Sequence, residues 1–79
     1  MVIYLKAGGQ LRKMLKPDID YYTRKVEIDG EKTVTDILKT IAIDSAYIAF
    51  IYADGKVRDF SFKPSDGQII TLQPPVSGG

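Results

Sequence analysis

Thr33-Val34-Thr35-Asp36-Ile37-Leu38-Lys39-Thr40-Ile41-Ala42 is the stretch whose reading decides the fold. Val34, Ile37, Leu38 and Ile41 recur at i, i+3, i+4 and i+7, a single apolar stripe that predicts one helix with one face to bury. Thr33 can cap it, because its side-chain oxygen can accept the free N–H of the third helical residue, Asp36. Asp36 also lies at the positive end of the helix dipole, which gives this acid a structural reason to be there.

Working outward, the sequence on both sides has the period of strands. Val2 to Leu5 is β-branched and aromatic, and Gly8-Gly9 ends it. Leu11, Met14 and Leu15 fit one apolar-faced helical turn, stopped by Pro17. Arg12, Lys13 and Lys16 on its other side read as a solvated face. The Gly8-Gly9 pair lacks the further glycines or the Lys-Ser/Thr of a phosphate loop and reads as a turn. Asp20 to Ile28 alternates near its end and predicts a second strand, antiparallel to the first. Beyond the helix, Tyr47 to Tyr52 is a dense β-type run, Asp54-Gly55 a hairpin turn and Val57 the start of its return. Phe60 and Phe62 fall in an irregular segment, Pro64 to Gly67 is a turn, and Ile69 to Gln73 is a last strand.

The resulting order predicts an α+β fold with the helix across one face of a mixed sheet. The first and last strands carry apolar residues on both faces, which suits parallel neighbours at the centre. The expected core is Ile3, Leu5, Val26, Ile28, Val34, Leu38, Ile41, Ile48, Phe50, Ile70 and Leu72. Alternation then sends Ala49, Ile51, Ile69 and Thr71 to the opposite face.

Composition narrows the function. The 79 residues contain no Cys, His or Trp, so thiol chemistry, cysteine-held metals and histidine acid–base catalysis are excluded. Eleven basic residues face ten acidic ones, which removes the electrostatic case for nucleic acid or an anionic membrane as partner. No apolar run is long enough to span a bilayer and no signal peptide is apparent, so a cytoplasmic location is expected.

The sequence closes on Pro74-Pro75-Val76-Ser77-Gly78-Gly79. Pro74 cannot continue a ladder, and two prolines stiffen the exit as polyproline II. Glycines would let a carboxylate reach into a narrow ATP site, where it could attack the α-phosphate and become an acyl-adenylate. The chain supplies no base, metal site or nucleotide loop, so catalysis would fall to a partner.

With Asp66-Gly67, the apolar strand, Pro74-Pro75-Val76 and Gly78-Gly79, the chain resembles the ubiquitin-like sulfur carriers, which include the molybdopterin synthase small subunit and the thiazole-synthesis carrier. The tail is similar to the molybdopterin type, and Thr33 to Leu38 resembles the family's helix start. The resemblance implies a ubiquitin-like β-grasp over residues 1–73, with four to five strands, and a flexible tail over 74–79. It implies a carrier, not an enzyme, whose Gly79 carboxylate is adenylated by an E1-like enzyme and converted to a thiocarboxylate. No cofactor or metal would be bound, and ATP would be used by the partner. Pro74, Pro75, Val76, Ser77 and Gly78 would thread into that partner, with Ala49, Ile51, Ile69 and Thr71 as its docking surface. The molybdopterin synthase large subunit is a further expected partner. Attachment to protein lysines as a modifier, service in thiamin synthesis or tRNA thiolation, and a plain β-grasp binding module stay open as alternatives.

Overall fold

Alternation within the two central strands fixes which face of the sheet meets the helices. The computed structural model describes residues 1–75. In chain order the elements are β1 (Val2–Ala7), α1 (Gly9–Leu15), β2 (Thr23–Glu27), α2 (Val34–Thr40), a 3-10 turn (Ser45–Tyr47), β3 (Phe50–Ala53), β4 (Lys56–Arg58) and β5 (Ile69–Gln73). The five strands form one mixed sheet in the order β2-β1-β5-β3-β4. β1 and β5 run parallel, as expected, with Leu5 beside Ile70 and Ala7 beside Leu72. The other pairings are antiparallel.

One face of this sheet is buried. Ile3, Leu5, Ala7, Val26, Ile51, Ala53, Ile70 and Leu72 meet Val34, Ile37 and Leu38 of α2 and Leu11 and Leu15 of α1 in a single core. α2 is held at both ends. Thr33 Oγ1 accepts the Asp36 N–H at 3.1 Å, as its sequence position anticipates. At the other end Ile43 N–H donates to the Leu38 carbonyl and Ala42 N–H to that of Lys39, a Schellman motif that places Ala42 in the left-handed region at φ 59. The Asp54-Gly55 turn has both central residues at positive φ, the requirement of a type I′ hairpin. Asp66 Oδ1 accepts the Val2 N–H at 2.7 Å, and Gly67 N–H donates to the Val2 carbonyl at 2.6 Å. That turn thereby locks the start of β1 to the start of β5. Together these features make a β-grasp, with α2 lying across a mixed sheet.

Two core expectations need correction. Ile41 is only partly buried, because it caps the helix and no longer lies on its apolar stripe. Phe50 is 52% exposed, whereas Ile51 is 1% exposed. Ile48 is buried as anticipated, but strict alternation does not continue from it into β3. The 3-10 turn ends at Ile48 and the chain bends at Ala49. Ala49 N–H donates to the Gln73 carbonyl at 2.8 Å, although Gln73 is already the register partner of Phe50. Two residues thus face one, and the parity of every following side chain flips.

Candidate functional site: the tail exit and the uncovered sheet face

The chain leaves the sheet at a defined place. Pro74 has no N–H to continue the ladder, and the Ala49–Gln73 bond is its last rung. Pro74 and Pro75 run along a cleft of about 200 Å³ between Leu11 and Met14 of α1 and Tyr47 of the 3-10 turn. On its other side Pro74 borders a groove of about 400 Å³ that Lys6, Gly8, Gly9, Tyr22, Thr71 and Gln73 also line. The two prolines therefore leave the sheet beside α1, and their direction is stiffened by their own rings. Val76, Ser77, Gly78 and Gly79, expected to thread into a partner, lie outside the described residues.

Among the described residues no element packs on the sheet face opposite the helices. Register places Tyr4 beside Ile69, and Lys6, Thr71, Tyr52 and Val57 in one row across β1, β5, β3 and β4. Phe50 stands beside Gln73 at the end where the tail leaves. Ile69 is 50% and Val57 59% exposed. A cleft of about 470 Å³ opens here between Tyr52, Ile69 and Thr71, and a Gln68 Nε2 to Asp54 Oδ2 hydrogen bond of 2.9 Å ties its rim. Uncovered apolar and aromatic side chains on one contiguous face are the usual mark of an interaction surface.

Of the four residues expected on this face, Ile69 and Thr71 are there. Ala49 is exposed at the bend before β3. Ile51 is not: it belongs to the core, for the parity reason given above, and Phe50 and Tyr52 take the place assigned to it. The sequence does contain the signal. A tyrosine hydroxyl prefers water, so in Phe50-Ile51-Tyr52-Ala53 the pair Phe50 and Tyr52 suits the open face, with the purely aliphatic Ile51 and Ala53 facing the core.

Two carboxylates are tuned by their immediate turns. Asp20 lies below the ordinary aspartate range because the Tyr22 N–H and the Thr23 hydroxyl donate to it, the former at 2.9 Å. Asp59 is lowered by the Ser61 hydroxyl and N–H. Both are exposed and serve local turn structure. Among the described residues no group of three or more acidic side chains is disposed to hold a metal ion, and no helix is long and apolar enough to cross a membrane.

A mixed β-grasp sheet, one face under α2 and the other open beside a proline-stiffened exit, defines a ubiquitin-like fold. Comparison with solved structures agrees. The chain is similar to SAMP1 of Haloferax volcanii at 22% identity and a TM-score of 0.73, with all of both chains covered. It is similar to a Pyrococcus furiosus protein provisionally assigned as molybdopterin converting factor subunit 1, at 17% identity and a TM-score of 0.70 over 95% of this chain and 98% of that one. A third likeness is to the complex of subunits 1 and 2 of molybdopterin-converting factor from Helicobacter pylori, at 19% identity and a TM-score of 0.59, again with both chains fully covered. At these identities the likeness establishes the fold. No protein-family model matches the chain, nor does any curated protein.

Proposed function

We propose that the chain is a ubiquitin-like sulfur carrier whose Gly79 carboxylate is activated by an E1-like enzyme. The observation that carries this reading is the exit itself. The sheet ends at Gln73, two prolines leave it beside α1, and the sequence then reads Val76-Ser77-Gly78-Gly79, a run narrow enough in its side chains to suit another protein's tunnel. In the reaction the carboxylate attacks the α-phosphorus of ATP and pyrophosphate leaves. Hydrosulfide, or a sulfur equivalent held by the partner, then attacks the acyl carbonyl and expels AMP, leaving a thiocarboxylate. The uncovered face around Phe50, Tyr52, Ile69 and Thr71 docks the enzyme. Molybdopterin synthesis is the pathway we favour, with a synthase large subunit as acceptor, because the Pro74-Pro75-Val76 and Gly78-Gly79 pattern resembles that type and one structural neighbour is a subunit of molybdopterin-converting factor seen with its subunit 2.

A second reading has its own support. Small archaeal modifier protein 1 of Haloferax volcanii shares the fold at a TM-score of 0.71, which favours a lysine amine as acceptor of the same adenylate. Incubating the chain with an E1-like enzyme, ATP and sulfide and weighing the intact product separates the two. One oxygen-for-sulfur exchange at Gly79 is the expected result, and lysine-linked conjugates without thiocarboxylate would instead establish the modifier. Deleting Gly79 retracts the carboxylate by about 3.5 Å, so pyrophosphate release should fall by roughly 100-fold or more with the fold intact.

A further inference from the structure

The segment that runs from β1 through α1 to β2 is basic, and one of its charges is not spent on a hydrogen bond. Lys6, Arg12, Lys13, Lys16, Arg24 and Lys25 all fall in the first 25 residues, where Asp18 and Asp20 are the only acids. Both acids are occupied with backbone: Asp18 Oδ1 accepts the Lys25 N–H and Asp20 Oδ1 the Tyr22 N–H, each at 2.9 Å. Arg24 spends its guanidinium on the Leu15 carbonyl at 3.0 Å. Arg12 differs. Its guanidinium carbon lies 4.0 Å from the centroid of the Tyr21 ring, and it donates no hydrogen bond among the described residues. Tyr21 in turn meets Tyr22 edge to face, with ring centroids 4.8 Å apart. The two rings are 63% and 48% exposed, and Tyr22 forms one wall of the groove that Pro74 borders.

A stacked guanidinium keeps its N–H fork in plane and open, the geometry that takes a carboxylate through two parallel bonds. Stacking on an aromatic ring also limits the rotamers that would otherwise be lost on binding. Arg and Tyr are the residue types that most often anchor protein interfaces. We infer that Arg12, Tyr21 and Tyr22 form a second docking site, for an acidic segment of the E1-like enzyme that receives the tail. An Asp or Glu of that segment pairs with Arg12, and a neighbouring apolar side chain enters the groove between Tyr22 and Pro74. The basic excess of this segment, with Lys6 lining the same groove, steers the approach. The identity of the partner rests on the function proposed above; its acidic chemistry rests on the unspent arginine and the charge excess.

The test is pyrophosphate exchange by the E1-like enzyme with the full chain as substrate. Arg12→Lys keeps the charge and loses the planar fork, and its fold is checked by circular dichroism. The expected result is a KM for the chain raised roughly tenfold with kcat unchanged, the loss anticipated for one bidentate charged pair. Tyr21→Leu, which removes the platform and keeps the charge of Arg12, should raise KM in the same direction, whereas Lys39→Arg on α2 should not. KM of the unsubstituted chain should also climb with salt, and less so in the Arg12→Lys chain. Exchange with unaltered KM in both Arg12→Lys and Tyr21→Leu overturns this inference and leaves the carrier function standing. Absence of exchange with the unsubstituted chain overturns the function, and with it this assignment of the partner.

Discussion

A carboxylate placed at residue 51 enters the core, whereas the same group one position earlier stays in water. Ile51→Asp removes a fully buried core side chain and buries an unpaired charge. Losing the buried isoleucine alone costs roughly 2–5 kcal/mol, and total domain stability is only about 5–15 kcal/mol, so urea unfolding followed by circular dichroism should find this chain largely unfolded or close to it. Phe50→Asp should leave the midpoint nearly unchanged and serves as the probe of the open face. Asp20 illustrates the same residue-level logic for pH. Its native carboxylate is favoured by the Tyr22 N–H and Thr23 hydroxyl, so its stabilisation is fully present above the unfolded aspartate value of about 3.9 and is lost as pH falls through the depressed native value. The destabilisation caused by Asp20→Asn should therefore be largest near neutrality and shrink in acid, and the carbon resonance of the carboxyl group should titrate below the ordinary range.

Among the elements, those whose signal is local were legible in sequence. β5 spans Ile69–Gln73 as its apolar run between Gly67 and Pro74 implies, and α2 follows from the Thr33 cap and its stripe. β3 was not legible in parity, because the bend at Ala49 depends on a bond to Gln73, far away in the chain. The helix terminus hides for a related reason. The usual signature of a Schellman ending is glycine, and here Ala42 occupies the left-handed position, so nothing in the sequence advertised that Ile43 would fold back onto Leu38 as part of the core. Ala42→Gly removes the Cβ strain at that position and should stabilise the domain by about 1 kcal/mol. A thermal melt should rise by about 4–8 °C for a chain of this size. The Arg12–Tyr21–Tyr22 cluster was equally invisible, since Arg12 reads as one more charge on a solvated helical turn until the loop from Lys16 to Tyr22 brings a ring beneath it.

At the scale of the whole molecule, the sheet, the two helices and the exit divide the work. The domain is closed at one side by α2 and left open at the other, and the β2 edge is blunted by Asp18, whose carboxylate takes the Lys25 N–H while the Asp18 and Ile19 N–H groups donate to the Thr23 carbonyl. If residues 1–73 are the folding unit, the part of the described structure lost on removing everything after Gln73 is what Pro74 and Pro75 contribute. Pro74 is half-buried and Pro75 exposed, and of their neighbours on α1 Leu11 belongs to the core while Met14 packs against it only partly buried. Half-burying one proline ring is worth about 1 kcal/mol or less at roughly 25 cal/mol per Å², so the truncated chain should unfold in one cooperative transition no more than about 8 °C below the full chain. It should at the same time be inert toward an adenylating enzyme. A broad, non-cooperative melt would mean instead that the Pro74–Pro75 segment is part of the core that holds α1 to the sheet, and that the exit cannot be separated from the domain it leaves.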